Sequence, residues 1–328
     1  MQLAIVLSAI VPVFVWMIFF RERDGFSHDP ADIWTVFITS AVVGTVLSIL
    51  HVAIIVTIED SFSYEVYGDP FSRAFVGAAL TEEAIKLSVV LFMVFRHRHR
   101  IQPFDYVIYG MAAAAGFAAV ENIGYVYGGS YLDRDHWLTV ALMRSVTAVP
   151  GHIFDGVIMG CCLALAAAKP SSRFYLWPAA YLLPLLLHGT YNYLLFVEYE
   201  IQDLNIGGQR NLAAFCVIGA TLLVAISGWI ANRSADATLR RLSGLGYPRR
   251  AAQHSSRHWI QRPALRWWCW GSAGILLTIG GGLVASVLVI KTLTNPHFPF
   301  PYEYVSAALF ALFYGLAFID RARHAARS

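Results

Sequence analysis

The chain has 328 residues, of which 57% are hydrophobic and only 14% are charged. A typical soluble domain carries about 25% charged residues, and its single core would not cover this much apolar surface. The composition therefore excludes a disordered chain, a secreted disulfide scaffold and an ordinary cytosolic enzyme, and it predicts a multi-pass membrane protein. The net charge of +3 is too small and too unevenly spread to favour a nucleic-acid partner.

Several runs of the sequence are long and apolar enough to cross a bilayer, which needs about 20 residues in a helix. They are predicted at 3–20, 31–58, 73–95, 104–128, 138–168, 174–198, 211–232, 265–290 and 302–319. The predicted fold is therefore an all-α polytopic membrane protein with about nine transmembrane helices. We expect a kink at Pro150 and Gly151 in the fifth run, because proline interrupts the hydrogen bonding of a helix.

The basic residues predict how the chain is oriented in the membrane. With the N-terminus outside, most of the 24 Lys and Arg residues fall in loops that would lie inside. The positive-inside rule therefore predicts an N-out, C-in protein. The Arg-rich loop 233–264 would lie inside as a topology anchor, with residues 235–245 forming a short amphipathic helix on the inner leaflet.

Three regions follow from this arrangement of spans. Residues 1–70 hold the first two helices, and residues 71–200 form a core of helices three to six. Residues 201–328 contain the last three helices and the Arg-rich loop. Ionisable side chains within a membrane are costly and usually functional. Apart from His51, those well inside the spans all fall in the core: Glu82, Glu83, Lys86, Glu121, Arg144, His152, Asp155 and His188.

The third span contains two adjacent carboxylates, Glu82 and Glu83, followed by Lys86. Lys86 is four residues from one and three from the other, so it shares a helix face with both. It can neutralise one carboxylate, which leaves the other to hold a proton, a water molecule or a metal. A purely structural ion pair would explain only one of the two glutamates.

The fourth span combines a run of Ala and Gly with Glu121 and Asn122. Small residues let a neighbouring helix approach closely, so Glu121 would project from a tightly packed wall. The adjacent Asn122 adds a neutral donor and acceptor. A structural hydrogen bond by Glu121 is the simpler alternative.

In the fifth span, His152 and Asp155 lie three residues apart on one face, and Asp155 is expected to orient the histidine ring. Arg144, earlier in the same span, either neutralises an acid or extends outward. In the sixth span, His188 and Asn192 are four residues apart and face the same way. Such a pair can hydrogen-bond a substrate carbonyl or a water, although a lone buried histidine is more often structural.

The depths of these groups agree with one another. With a rise of about 1.5 Å per residue, Glu82, Glu121, His152 and His188 all fall in the outer half of the membrane or near its midplane. Unrelated structural polar groups on alternating helices would not share one level. The sequence therefore predicts a shared polar cavity that is open to the outer face.

Such a cavity suits the activation of water. A buried glutamate can act as a general base, and histidine and asparagine can stabilise an oxyanion. The same groups can bind zinc. The motifs H-E-x-x-H, G-x-G-D and G-x-S-G of other membrane proteases are absent from the sequence. We therefore predict hydrolysis of a peptide bond in or next to the membrane, with water as the nucleophile.

Four motifs in order on consecutive spans resemble the PrsW family of intramembrane proteases. They are Glu82-Glu83-x-x-Lys86, Phe117-x-x-x-Glu121-Asn122, the segment from His152 to Asp155, and His188-x-x-x-Asn192. The resemblance covers residues 70–200. That family is similar in turn to the CAAX prenyl proteases, which implies a CAAX-protease-like helical core. In this chain Glu121 and Asn122 replace the histidine of the prenyl-protease pattern, which argues against prenylated substrates.

The resemblance also implies a function and residue roles. It implies site-1-type cleavage of a single-pass, membrane-anchored protein such as an anti-sigma factor, in the bacterial cytoplasmic membrane. Glu82 and Glu83 would activate water, with Glu121, His152 and His188 completing the catalytic set. The implied supporting residues are Lys86, Asn122, Asp155 and Asn192. A zinc ion, if bound, would be held by Glu83, Glu121, His152 and His188.

Two other functions remain as alternatives. A proton-coupled transporter or channel also places acids and histidines in the membrane, but it would show repeated halves with matching interrupted helices, and the sequence shows neither. An inactive membrane scaffold of the same fold is the second alternative. The retention of Glu82, Glu83, His152 and His188 argues against it.

Overall fold

A computed structural model describes residues 2–21, 30–62, 68–132, 136–203, 210–247 and scattered positions between 272 and 322. No strand occurs in these ranges, which confirms the all-α prediction. The helices are α1 (Gln2–Arg21), α2 (Pro30–Phe62), a π-helix (Ser72–Ala79), α3 (Leu80–Arg96), α4 (Asp105–Leu132), α5 (His136–Val146), α6 (Ala148–Ala168), a 3-10 turn (Pro170–Ser172), α7 (Arg173–Asp203) and α8 (Arg210–Gly244).

Six stretches of the described residues are long and apolar enough to cross a membrane: Gln2–Arg21, Ala31–Ile58, Asp105–Ser130, His136–Ala168, Pro170–Ile201 and Leu212–Gly244. The predicted span 73–95 is not among them. It is divided between the π-helix and the 17-residue α3, which carries the charged residues of the first motif. The predicted spans 265–290 and 302–319 lie largely outside the described residues, so the count of nine and the orientation stay predictions.

The chain divides into two compact units. The first contains Met1–Phe196 and Ile226–Ala251, and the second contains Val197–Ala225 and Ala252–Ser328. Helix α8 contributes to both. All the candidate site residues lie in the first unit.

Helices α4 and α6 form the tightly packed centre of the first unit. A Cβ atom on Gly110 of α4 would collide with the backbone oxygen of Gly156 on α6, and a Cβ on Gly160 would lie 2.5 Å from the oxygen of Tyr106. Gly156 and Gly160 are spaced as in the small-residue motifs that bring membrane helices together. The predicted close approach along the Ala/Gly run is therefore confirmed.

Helix α2 contrasts with this centre. Only 6% of its most apolar stretch is buried, against 78% for α4. Its exposed side chains are large and apolar, for example Ile38, Val42 and Ile49. Such a surface suits contact with lipid, so α2 belongs at the periphery of the unit.

The predicted kink at Pro150 and Gly151 is wrong in its position. The helix breaks earlier, at Thr147, whose φ and ψ of −121° and −72° are not helical. Helix α6 then starts at Ala148, with Pro150 in its first turn. Proline is tolerated there because the first N–H groups of a helix have no partner within it.

The predicted amphipathic helix at 235–245 is also corrected. Helix α8 continues without interruption to Gly244. Ala235, Thr238 and Leu242 share one face of this extension, and all three are buried. The face that would lie on a leaflet is therefore packed within the protein. Residues 248–264 of the Arg-rich loop lie outside the described residues.

Candidate active site

Glu83 lies at the centre of the site and is fully buried. Its Oε1 accepts a hydrogen bond of 2.6 Å from Lys86 Nζ, one turn further along α3. The same oxygen is 2.9 Å from Nδ1 of His188 on α7. Lys86 therefore neutralises Glu83, which answers the question of which carboxylate it pairs with.

Glu82 is the carboxylate left without close neutralisation. Its Oε2 lies 3.9 Å from Lys86 Nζ and 3.7 Å from His188 Nε2. This buried oxygen has no hydrogen-bond partner among the described residues. A buried carboxylate oxygen without a partner is costly, so it marks the position where a water molecule or a metal would be stabilised.

His152 is held at both ring nitrogens. Its Nδ1 is 2.9 Å from Lys86 Nζ, and its Nε2 is 2.7 Å from Oε2 of Glu121 on α4. A lysine ammonium group can only donate, so Nδ1 accepts and the proton sits on Nε2, which donates to Glu121. Both nitrogens therefore have partners other than the one the sequence predicted.

The predicted role of Asp155 in orienting this ring is thus not what the structure shows. The spacing was right for a shared helix face, but Lys86 and Glu121 reach the ring first. Asp155 is buried, and its Oδ1 has no hydrogen-bond partner among the described residues. Its electrostatic neighbours are Glu83 and Lys86.

His188 is bound differently from His152. Because a carboxylate only accepts, Nδ1 of His188 carries the proton that is donated to Glu83. Its Nε2 then keeps a lone pair, which lies 3.0 Å from Nδ2 of Asn192. The predicted pairing of these two residues on one face of the sixth span is confirmed. The two histidine rings stand edge to face, with their centroids 4.8 Å apart.

Arg144 neutralises an acid and does not extend outward. Its Nη2 forms an ion pair of 3.2 Å with Oε2 of Glu121, and its Nε donates a 2.7 Å hydrogen bond to Oδ1 of Asn122. Asn122 in turn donates to the backbone oxygen of Ala9 on α1, at 2.8 Å. Sequence reasoning missed this contribution of α1, because a backbone carbonyl leaves no signal in the sequence.

These contacts confirm that four of the predicted spans bring their polar groups to one place. The site opens on the side of Glu82 and Glu121, whose side chains keep 15% and 21% exposure. The Lys86 side chain is fully buried, and its ammonium lies 4.8 Å from the ring centroid of Phe117. His51 contacts Thr81 Oγ1 at 3.3 Å.

The site has a set of side chains that suits a metal ion. Ligand atoms of Glu82, His152 and His188 all lie within 4.8 Å of one another. Two histidines and one carboxylate form a common ligand set of catalytic zinc. The unpartnered Oε2 of Glu82 fits this use directly. His188 would have to release Asn192, and His152 would have to release Lys86 or Glu121.

This set differs from the predicted one in its acid. Glu83 and Glu121 were expected as ligands, but each is already paired with a cation, Lys86 or Arg144. Glu82 takes their place because its nearest cation, Lys86 Nζ, is more distant, at 3.9 Å, and its Oε2 accepts no hydrogen bond among the described residues. The two histidines are common to both sets.

The fold and the site together define a multi-pass membrane protein with a buried glutamate and histidine centre suited to hydrolysis. The sequence matches the family described as PrsW family intramembrane metalloprotease over residues 32–231. This match covers more than half of the chain and all of the side chains of the candidate site. The chain belongs to this family and is an intramembrane protease.

Relatives from several bacteria agree with the family match. The chain is 29% identical over 203 residues to Protease PrsW of Clostridioides difficile (strain 630), covering 61% of this chain and 82% of that protein. It is 36% identical over 134 residues to Protease PrsW of Geobacillus kaustophilus, covering 40% and 56%. For Protease PrsW of Bacillus subtilis the identity is 28% over 193 residues, covering 58% and 83%. No solved structure matches the chain.

Proposed function

We propose that this protease hydrolyses a peptide bond of a single-pass membrane protein, such as an anti-sigma factor, at a position next to the membrane. The observation that carries the proposed chemistry is the unpartnered Oε2 of Glu82, 3.7 Å from Nε2 of His188. The class of substrate rests on the family resemblance. The bacterial origin of the relatives supports a place in the bacterial cytoplasmic membrane.

Glu82 is the general base in this proposal. It takes a proton from a water molecule, the hydroxide oxygen attacks the scissile carbonyl, and the peptide C–N bond breaks as Glu82 returns the proton to the leaving nitrogen. Glu83 is the less suited of the two, because its Oε1 accepts from both Lys86 and His188 and its side chain is fully buried, whereas Glu82 keeps 15% exposure. The pair of adjacent glutamates is therefore divided into one reacting and one structural carboxylate.

Donors near Glu82 are placed to stabilise the oxyanion that forms on the carbonyl oxygen. The side-chain amide of Asn192 lies 3.0 Å from His188 Nε2, so it is within reach of a group bound there. The Lys86 ammonium, 3.9 Å from Glu82, adds a fixed positive charge in a buried setting. Donors held in place before the reaction are the main source of stabilisation in such sites.

A divalent ion held by Glu82, His152 and His188 would polarise the scissile carbonyl and ease the deprotonation of water. We propose zinc as this ion, because its ligand preferences match the three side chains. Glu82 cannot be both a metal ligand and the base through the same oxygen. Metal dependence therefore separates the two forms of the proposal.

The first experiment is a comparison of membrane proteins in cells. We expect full-length forms of the substrate to accumulate equally in a deletion strain and in a strain carrying Glu82→Gln, measured by quantitative mass spectrometry of membranes. Glu200→Gln makes the same chemical change outside the site and should cleave like the wild type. Normal cleavage by Glu82→Gln at a normal protein level would overturn the proposal.

The second experiment concerns the metal. The purified protein is treated with a mild chelator, and its zinc content is measured by elemental analysis beside cleavage of the substrate found above. Stoichiometric zinc that is needed for cleavage supports the metal form. Full cleavage by zinc-free protein supports Glu82 and water alone.

A further inference from the structure

Arg144 has no place in the four sequence motifs, yet the structure connects it to the site. It lies on α5, and its side chain is only 15% exposed. Its guanidinium makes three contacts: the ion pair with Glu121, the hydrogen bond to Asn122, and a stacking contact at 3.9 Å from the ring centroid of Tyr125. A side chain that only extended to the surface would make none of them.

Asn122 connects this arginine to a different part of the chain. Its amide nitrogen donates to the backbone oxygen of Ala9, and its oxygen accepts from Arg144. Helix α1 lies outside the residues that match the family, 32–231. The backbone of α1 therefore supports the site without being part of the matched core.

Glu121 is the link between this anchor and the reacting groups. One of its oxygens, Oε2, faces both Arg144 Nη2 at 3.2 Å and His152 Nε2 at 2.7 Å. The position of the carboxylate therefore sets the direction of the hydrogen bond that orients the His152 ring. On its other side this ring contacts Lys86, which pairs with Glu83.

We propose that Arg144 is a positioning residue for proteolysis: anchored to α1 through Asn122, it holds Glu121 against Nε2 of His152. This inference rests on the proposed function above. It assigns a role to α1 as well, since the backbone oxygen of Ala9 fixes the orientation of the Asn122 amide.

The geometry requires arginine and not merely a positive charge. Nε donates to Asn122, Nη2 forms the ion pair with Glu121 at 3.2 Å, and the planar group lies over the ring of Tyr125. Lysine offers a single ammonium on a flexible stem, and it cannot reproduce this fork. Arg144→Lys is therefore the variant that separates a positioning role from simple neutralisation.

The test measures cleavage of the substrate identified by the membrane comparison, using the full chain in detergent or liposomes. We expect Arg144→Lys and Arg144→Gln each to lower kcat by about 10- to 100-fold with little change in KM, because substrate binding is left intact. Arg173→Lys is the matched control, since Arg173 is an exposed arginine that donates to the backbone oxygen of Ala166 at the other end of α6. Wild-type kcat in Arg144→Lys would overturn the proposal.

A double-mutant cycle excludes a general effect on folding. If Arg144 acts through Glu121, then adding Arg144→Gln to the Glu121→Gln variant should lower kcat by less than about a further twofold. If the fold-loss of kcat in the double variant equals the product of the losses in the two single variants, the two residues act separately, which would contradict the proposal. Thermal unfolding of each variant shows whether the fold is intact, and Arg144→Lys keeps the charge should the neutral variant be unstable.

Failure of this inference is distinguishable from failure of the proposed function. An inactive Glu82→Gln beside a fully active Arg144→Gln would overturn only the role of Arg144. Normal cleavage by Glu82→Gln would overturn the catalytic proposal itself. Asn122→Ala removes the anchor and should also lower kcat, by a smaller factor than the Arg144 variants.

Discussion

His152 and His188 lie side by side but have opposite surroundings. His152 is held at both ring nitrogens by charged side chains, Lys86 and Glu121, whereas His188 bonds the Glu83 carboxylate through Nδ1 and only the neutral amide of Asn192 through Nε2, next to Glu82. The same residue type is therefore placed in two different ways in one site. In the proposed mechanism, the His188 side, formed by Glu82, His188 and Asn192, carries the reacting groups, and the His152 side, formed by Glu121, Asn122, Arg144 and His152, fixes the geometry.

The helices that carry the two sides also differ in how much of their surface is buried within the protein. The stretch Pro170–Ile201, which contains His188, has 22% of its most apolar part buried. The value is 72% for His136–Ala168, which contains His152. The two histidines themselves are equally buried, at 5% exposure each, so the difference lies in the packing of their helices. A packed helix keeps its side chains in fixed positions.

Lys86 joins the two sides, so its replacement should have the largest effect. Lys86→Met leaves the fully buried Glu83 without its cation and removes a partner of His152. Breaking a buried pair in this way costs about 3–5 kcal/mol. We expect a large fall in the thermal unfolding temperature and in protein level, with no cleavage.

The control is Lys169→Met, which removes an exposed lysine at the end of α6. It should leave the unfolding temperature, the protein level and cleavage near those of the wild type. An unfolding temperature for Lys86→Met equal to that of the wild type would show that the two sides do not depend on the lysine.

Replacing each histidine in turn should separate the two sides. His188→Gln removes the ring nitrogen beside Glu82 and should lower cleavage by about 10³-fold, with a moderate loss of stability. His152→Gln also lowers cleavage, but it should lower the unfolding temperature more, because both partners that lose a bond, Lys86 and Glu121, are charged, whereas His188 has one charged and one neutral partner. Equal unfolding temperatures for the two variants would contradict the division of the site into a His188 side and a His152 side.

Asn192 should give the smallest of these effects. Asn192→Ala removes the amide donor at 3.0 Å from His188 Nε2 but leaves every charge in place. We expect cleavage to fall by about 10- to 100-fold with the fold intact, in line with the loss of one donor to an oxyanion. The measurement is kcat beside thermal unfolding, and Asn232→Ala on α8 is the matched control. A wild-type kcat would remove Asn192 from the His188 side.

Features that depend on spacing within one helix were predictable from the sequence. The pairing of a glutamate with Lys86, the shared face of His188 and Asn192, and the close approach at the Ala/Gly run all follow from the helical period. The common level of the groups on the third to sixth spans also follows, because it needs only the rise per residue. The family resemblance rests on the same local patterns.

Features that depend on how helices meet were not predictable. The partner of each nitrogen of His152, the target of Arg144 and the anchor at Ala9 are set by the distance and rotation between helices, which the sequence does not contain. The predicted position of the kink was wrong for another reason. Proline is compatible with the first turn of a helix, so α6 starts before Pro150 and the break lies at Thr147. Asp155 shows that a correct face does not establish a contact.

The π-helix Ser72–Ala79 ends just before Glu82 and Glu83. Its start is fixed by Asp69, whose side chain accepts hydrogen bonds from the backbone of Phe71 and Ser72. The wider turns of the π-helix between Asp69 and α3 determine how α3 is rotated about its own axis. Shortening the segment by one residue would turn both carboxylates about 100° around the helix axis, away from His188. The direction in which Glu82, the proposed general base, points from the helix axis thus depends on eight residues that contribute no side chain to the candidate site.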